Sequence, residues 1–216
     1  MGELISLAER RAARAAAGAR GARPRVSFFF DLASPWTYLA AERVDRLFAE
    51  VHWRPALADA LRGGRTDDEA ERDAVGERAA QLRMPLVWPD AWPTAGLSAM
   101  RVATLAAERG RAAPFVLAAS RLAFCGGYDV DDPEILAEAA AVAGLGLEEC
   151  LQAAGDVRRD RAPQQAALRL LSKGADALPA LVVGRTLYCG EHRLAEAAAA
   201  ATGRSLTSQK SLRRHG

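Results

Sequence analysis

The segment from Val26 to Ala40, VSFFFDLASPWTYLA, constrains the fold more than any other part of the chain. It begins with a strongly apolar run, Val26 to Phe30, which ends at the polar Asp31. Ser34 and Pro35 then precede a stretch whose apolar residues recur at helical spacing: Trp36, Leu39, Ala40, Val44, Leu47 and Phe48. The pattern predicts a strand, a turn and a helix, with Ser34 at the N-cap and Pro35 at the first helical position.

Ser34 is therefore a candidate site residue. At this position a hydroxyl lies where free backbone N–H groups and the helix dipole favour an anion. Serine is also a common N-cap with no further role. This segment alone leaves both interpretations open.

Composition and charge exclude several classes of function. Hydrophobic residues make up 50% of the 216, which is enough for a buried core in one or two domains. The net charge of +2 is unevenly distributed, because residues 1–25 carry six Arg and two Glu and residues 204–216 carry four basic side chains. The part between them is net acidic, which is not typical of a nucleic-acid groove.

Membrane, secretion and metal signals are absent from the sequence. No run of about 18 apolar residues occurs, and residues 1–25 lack the apolar segment of a secretory signal. We therefore expect a cytoplasmic protein that binds neither membrane nor nucleic acid. The three cysteines, Cys125, Cys150 and Cys189, have neither CxxC nor zinc spacing, and the three histidines are far apart, so we expect no metal site.

Strand signals lie near both ends of the chain. Arg25–Asp31 and Val51–Pro55 flank a helix from Pro35 to about Glu50, which makes a βαβ unit. Two short apolar runs, 180–183 and 186–189, flank Gly184-Arg185 and predict a tight hairpin before a final helix to about Ala201. Between these units the signals are mainly helical, and no convincing strand is found.

This order predicts an α/β fold: a thioredoxin-like sheet domain split by an all-helical insertion. We assign residues 25–58 and 166–203 to the sheet domain and 59–165 to the insertion. Residues 1–24 form a basic N-terminal extension, and residues 204–216 form a basic C-terminal tail.

Four segments resemble the 2-hydroxychromene-2-carboxylate isomerases, relatives of the kappa-class glutathione transferases and of the DsbA-like proteins. They are FFFDLASPWTYLA (28–40), MPLVWP (84–89), SRLAFCGGYDVDDPEIL (120–136) and LPALVVGRTLYCGEHRL (178–194). Members of that family have FDFxSP-type, IPLVFP-type and VPT-type sequences in this order, and a hairpin that ends in GxDRL. The similarity extends over residues 25–202.

The resemblance implies roles at matching positions. Ser34 matches the serine whose hydroxyl contacts the glutathione sulfur, a contact that stabilises a thiolate together with the helix N-terminus. Pro179 matches the cis-proline of thioredoxin-like folds, which presents the backbone of Leu178 to the glutathione backbone. The alternative for Pro179 is a trans proline that begins an edge strand.

One position departs from the family pattern. His192 occupies the place of the Asp that binds the γ-glutamyl amine of glutathione, and an imidazole is not an anionic acceptor. The neighbouring Glu191 is a candidate substitute if the loop turns it inward. His192 is equally compatible with a surface position near a helix start.

Aromatic residues of these segments suggest a substrate pocket. We expect Trp36, Trp88 and Trp92 to lie either in the core or in the wall of a pocket that suits a flat aromatic molecule. Tyr38 is a candidate for a polar contact in that pocket. Cys125 precedes Gly126-Gly127 in a turn that faces the substrate in family members. Cys189 is expected to be a small buried hydrophobe in a strand.

The resemblance thus implies a glutathione-dependent cis–trans isomerase of aromatic catabolism, with glutathione or another low-molecular-weight thiol as cofactor. Its substrate would be a small aromatic or electrophilic molecule, and a homodimer is an open option. The alternatives are a kappa-like glutathione transferase and a non-catalytic thioredoxin-fold binding protein. Because Ser34 to Thr37 contains no cysteine, the CxxC route to thiol–disulfide exchange is excluded.

Overall fold

The computed structural model describes residues 24–61, 69–90, 92 and 96–203. The predictions for the basic N-terminal extension, apart from Pro24, and for the basic C-terminal tail lie outside this part. The described residues contain four strands: β1 (Val26–Phe30), β2 (His52–Pro55), β3 (Ala180–Val183) and β4 (Thr186–Cys189). They form one mixed sheet in the order β2-β1-β3-β4, in which β2 is parallel to β1 while β3 and β4 alternate in direction.

The helices follow in chain order and are numbered here for the described residues. They are α1 (Pro35–Leu47), α2 (Glu69–Leu82), α3 (Leu97–Glu108), α4 (Ala112–Phe124), α5 (Pro133–Val142), α6 (Leu147–Gly155), α7 (Arg161–Leu171) and α8 (Leu194–Ala201). Three short 3₁₀ helices, Ala58–Ala60, Val157–Asp160 and Glu191–Arg193, connect them.

The βαβ and hairpin predictions are confirmed to within a few residues. Helix α1 ends at Leu47, three residues before the predicted Glu50, because Phe48 is extended (φ −129°, ψ 135°) and its ring is buried. Gly184 has φ +62°, a conformation that few side chains tolerate, at the hairpin turn. The described part of 59–165 contains helices and no strand, as predicted. The boundary drawn between 165 and 166 falls inside α7, which continues to Leu171.

The central strand β1 explains how the sheet is covered on both sides. Phe28 and Phe30 are fully buried on one face, where the Phe28 and Trp53 rings pack edge to face at 4.8 Å. Phe29 points to the opposite face and packs on the second core. A strand in mid-sheet therefore needs apolar residues at consecutive positions, which is the run found in the sequence.

The two hydrophobic cores of the described residues lie on opposite faces of this sheet. The first joins β1 to α1, α3, α4 and α8, and the second joins β3 to α7. Residues of the predicted insertion, such as Val102 and Phe115, belong to the same core as Phe28. Of the helices between β2 and α7, α3 and α4 contact the sheet at β2, and α2, α5 and α6 contribute residues to the same core.

One end of the sheet collects the segments that carry the candidate site. Phe29 pairs with Ala180, and Ala180 pairs with Cys189, so the C-terminal ends of β1 and β4 lie beside the start of β3. The residues that follow β1, precede β3 and follow β4 therefore meet at this end. These are the three segments in which the sequence placed Ser34, Pro179 and Glu191.

Candidate functional site at the N-terminus of helix α1

Ser34 lies at the N-cap of α1, as predicted. Its backbone is extended (φ −93°, ψ 119°), Pro35 follows in the first turn, and the residue is 8% exposed. The Ser34 N–H donates to the Asp31 carbonyl at 3.1 Å, and the Ser34 carbonyl accepts from Thr37 N–H at 3.0 Å. A tight turn after β1 therefore holds the serine at the beginning of the helix.

The Ser34 hydroxyl does not cap the helix. It makes no capping hydrogen bond, although the residue has the N-cap backbone conformation. Among the described residues, the backbone N–H of Trp36 at the second helical position also has no acceptor. Together with the helix dipole, these two donors favour an anion such as a thiolate at this point.

Asp31 is the buried anchor of the turn that carries Ser34. It is 0% exposed, and its carboxylate accepts from Ala33 N–H at 3.0 Å and from Ala58 N–H at 2.8 Å. These bonds join the turn after β1 to the 3₁₀ helix after β2. Asp31 was predicted only as a polar break, yet an Asp directly after an apolar strand is a signal for a buried carboxylate that needs backbone donors.

The Leu178–Pro179 peptide bond is cis, as the family resemblance implied. The Pro179 carbonyl accepts from Gly190 N–H at 2.8 Å, which ties the start of β3 to the turn after β4. Leu178 and Pro179 are both buried. Their role in binding a thiol remains a prediction.

Glu191 turns inward, but two arginines already hold its carboxylate. Arg78 binds it with two contacts, Nε to Oε2 at 2.7 Å and Nη2 to Oε1 at 3.0 Å, and Arg43 binds it through Nη1. Glu191 is 2% exposed. These arginines compete with any ammonium group for the role predicted for Glu191. Nothing in the sequence indicated that Arg43 or Arg78 would bind Glu191.

His192 stays at the surface beside an open cavity of about 450 Å³. Its ring lies against Gly190, where a Cβ would come within 2.7 Å of the imidazole. Trp36, Arg78 and Glu191 line the same cavity. Trp36 also donates its indole N–H to Glu71 Oε1 at 3.1 Å. The predicted residues Trp36, Glu191 and His192 are thus brought together at one cavity, whose volume suits a small ligand.

The other predicted pocket residues form a separate aromatic group around Phe124. The rings of Tyr38 and Phe124 are stacked at 5.9 Å, and Trp88 packs edge to face on Phe124 at 6.4 Å. The Tyr38 hydroxyl lies 2.8 Å from the Pro85 carbonyl and 3.0 Å from Cys125 Sγ. Tyr38, Trp88 and Cys125 therefore lie together around Phe124, whereas Trp36 lines the cavity beside His192. Their role as a substrate pocket stays a prediction.

Tyr38 is held in its protonated form. Burial, and then the hydrogen bond to Cys125, raise the pKa of its phenol. The phenol donates to the Pro85 carbonyl at 2.8 Å, and Cys125 Sγ lies 3.0 Å from the phenol oxygen. The pair orients two polar groups inside an otherwise aromatic wall.

A second aromatic contact connects this wall to the Ser34 turn. The Trp88 and Trp92 rings are 4.6 Å apart, and the Arg72 guanidinium lies over both, 5.2 and 4.8 Å from their centres. Trp92 donates its indole N–H to the Ala33 carbonyl at 3.2 Å. Trp92 therefore braces the residue that precedes Ser34.

Three further observations concern the residues that the structure describes. No group of three or more His, Cys, Asp or Glu side chains there is arranged to hold a metal ion. None of the helices described is both long and apolar enough to cross a membrane. Cys189 is half-buried in β4, and burial raises the pKa of its thiol.

A mixed sheet with a helix N-terminus after the first strand and a cis-proline before the third defines a thioredoxin-like protein. Residues 25–201 match the DSBA-like thioredoxin domain, and the chain belongs to that family. No curated protein matches it.

Solved structures share this fold. One is a probable DsbA oxidoreductase from Streptomyces coelicolor, at 25% identity and a TM-score of 0.64, with 84% of this chain and 91% of that chain covered. Another is a 2-hydroxychromene-2-carboxylate isomerase, at 19% identity and a TM-score of 0.66, with 83% and 94% covered. At 19% identity, the similarity to the isomerase shows a shared fold and no more than that.

Proposed function

We propose that the protein is a glutathione-dependent isomerase that resembles 2-hydroxychromene-2-carboxylate isomerase, acting through a bound low-molecular-weight thiol. The observation that carries the proposal is the pair of donors at the start of α1. The Ser34 hydroxyl makes no capping bond, and the Trp36 N–H has no acceptor among the described residues. A thiolate placed there receives both donors and the helix dipole, which lowers the pKa of its parent thiol.

The chemistry follows from the nucleophilicity of that thiolate. Its sulfur adds to an activated carbon–carbon double bond of a hydroxychromene-type acid, and the electron pair of the bond moves onto the conjugated carbonyl. The former double bond then rotates as a single bond. Elimination re-forms the double bond and releases the same thiolate, so the step consumes neither oxidant nor reductant. Ser34 stabilises the sulfur anion before and after the addition.

The aromatic group around Phe124 is our candidate for the wall of a flat-substrate pocket. Trp88 and Cys125 are half-buried, whereas the Tyr38 ring is buried against Phe124 and its phenol stays protonated because burial and Cys125 raise its pKa. We expect Trp88 and Cys125 to contact the substrate and Tyr38 to support them. Thiol–disulfide exchange at this position has no support, because residues 34–37 carry no sulfur.

A non-catalytic thioredoxin-fold binding protein is the second candidate. It is favoured by Glu191, whose carboxylate is engaged by Arg43 and Arg78 and is not presented to a ligand amine. A kappa-like transferase shares the first step of the isomerase and differs in releasing the conjugate. Product analysis separates these two enzyme activities.

The test is Ser34→Ala in an isomerisation assay with a hydroxychromene-type acid and glutathione. One hydrogen bond to a charged sulfur contributes about 1.5–3 kcal/mol, so we expect kcat to fall roughly ten- to hundredfold with little change in thiol affinity. Ser120→Ala is the matched control, because the Ser120 hydroxyl is buried without a partner in α4, away from the N-terminus of α1. Equal turnover by Ser34→Ala and the parent protein would leave Ser34 with no catalytic role.

A further inference from the structure

The cavity lined by Trp36, Arg78, Glu191 and His192 does not have the charge that an amine-binding site needs. Arg43 and Arg78 share one carboxylate, that of Glu191, so the cluster has two positive charges and one negative charge. The Glu191 side chain is 1% exposed, whereas those of Arg43 and Arg78 are 25% and 29% exposed. The negative charge is therefore enclosed, and the positive charges are the ones that face solvent.

Glu191 has little capacity left for an ammonium group. Oε1 accepts from both arginines, and Oε2 accepts from Arg78 Nε. A cation brought to this carboxylate would also lie beside two guanidinium groups, and like charges a few ångströms apart repel. An ammonium group would therefore share an acceptor oxygen with the arginines and would be repelled by both guanidinium groups.

The same wall can bind an anion. A guanidinium has five N–H donors, and Glu191 together with Gln81, at 3.0 Å from Arg78 Nη1, uses three of those of Arg78. Arg78 and the exposed His192 line the cavity with Trp36, which lies two residues after Ser34 and so about 3 Å further along the helix axis. Glu77 lines its rim but is exposed, where an ion pair contributes little.

We propose that this wall, made by Arg78, His192 and the Glu191 carboxylate that Arg43 also holds, recognises the bound thiol through a carboxylate group and provides no buried acceptor for an ammonium group. The preferred cofactor is then a low-molecular-weight thiol that carries a carboxylate and has no free amine at this subsite. This inference rests on the proposed thiol-dependent function and specifies the chemistry of its cofactor.

The experiment compares two tripeptides by titration calorimetry. One is glutathione, and the other is its deamino analogue, glutaryl-cysteinyl-glycine, which keeps both carboxylates and lacks the ammonium group. We expect the analogue to bind at least as tightly as glutathione. Binding of glutathione tenfold more tightly than the analogue would overturn the inference and leave the proposed function standing. Absence of binding by either thiol would overturn the proposed function, and this inference with it.

Two variants test the wall itself. Arg78→Gln removes a positive charge, so we expect it to weaken binding of the analogue at least fivefold and to shift the preference toward glutathione. Asp73→Asn, an exposed position on the same helix that does not line the cavity, should leave the ratio of the two affinities unchanged. If circular dichroism shows that Arg78→Gln does not fold, Arg78→Lys takes its place, and its preference should stay that of the parent because the charge is retained. An Asp73→Asn effect larger than that of the Arg78 variant would contradict the assignment.

Discussion

The N-cap position of Ser34 can be tested by a stability measurement, because the N-cap residue of another helix, Asp132, does make a capping hydrogen bond. Asp132 precedes Pro133 as Ser34 precedes Pro35, and each residue is the N-cap of its helix with an extended backbone. The Asp132 carboxylate accepts from Glu134 N–H at 2.8 Å. The Ser34 hydroxyl makes no such bond. The two sites therefore differ in the capping contact and share the local sequence pattern.

The structure sets the expected magnitudes. Loss of a capping side chain costs about 1 kcal/mol, so Asp132→Ala should lower the free energy of unfolding by that amount. In a protein of this size the loss corresponds to a fall in Tm of about 2–4 °C. Ser34→Ala removes a hydroxyl with no bond to lose, and we expect a change below about 0.5 kcal/mol.

Urea unfolding of the parent and of both alanine variants measures these differences, with far-ultraviolet circular dichroism as the signal. Equal slopes of the unfolding curves are needed, so that midpoints report stability. The reasoning would be refuted if Ser34→Ala cost as much as Asp132→Ala, because Ser34 would then act as an ordinary cap. If Ser34→Ala leaves the free energy of unfolding unchanged but lowers turnover, the hydroxyl serves catalysis and does not stabilise the fold.

Two further outcomes follow from buried groups. Asp31→Ala removes the acceptor of Ala33 N–H and Ala58 N–H, so it should destabilise the protein by about 2–5 kcal/mol in the same urea assay; a loss under about 1 kcal/mol would contradict the anchoring role. Burial raises the pKa of the fully buried Cys150 thiol, which lowers its thiolate fraction at pH 8, so iodoacetamide should modify Cys150 only after unfolding. Mass spectrometry of the folded protein checks this, and rapid labelling of Cys150 would disprove it.

The local elements could be read from the sequence because their causes are local. The apolar run Val26–Phe30, the Ser34-Pro35 pair and the Gly184 turn each favour one backbone conformation over a few residues. The order of these elements then restricts the topology to a mixed sheet of the observed kind. The contacts that join Tyr38, Trp88 and Cys125 around Phe124, in contrast, could not be read from the sequence, because nothing in the spacing of these residues implies contact.

Contacts between distant segments could not be read in this way. Glu191 was predicted to receive a ligand amine, yet Arg43 and Arg78, which are 148 and 113 positions away, occupy its carboxylate. The Asp31 carboxylate likewise depends on Ala58, 27 positions along the chain. Each pairing exists because the packed sheet and helices bring a donor within 3 Å of a buried acceptor, and a buried charge must find such a donor.

The sequence by itself therefore determined the strand–turn–helix unit, the hairpin and the position of Ser34 at a helix N-terminus, because backbone preferences and the alternation of apolar residues act over short distances. Only the tertiary structure decided that the Ser34 hydroxyl is left uncapped and that Glu191 is enclosed by two arginines. Those outcomes depend on which side chains the folded core brings together, and the chemistry of the site follows from them.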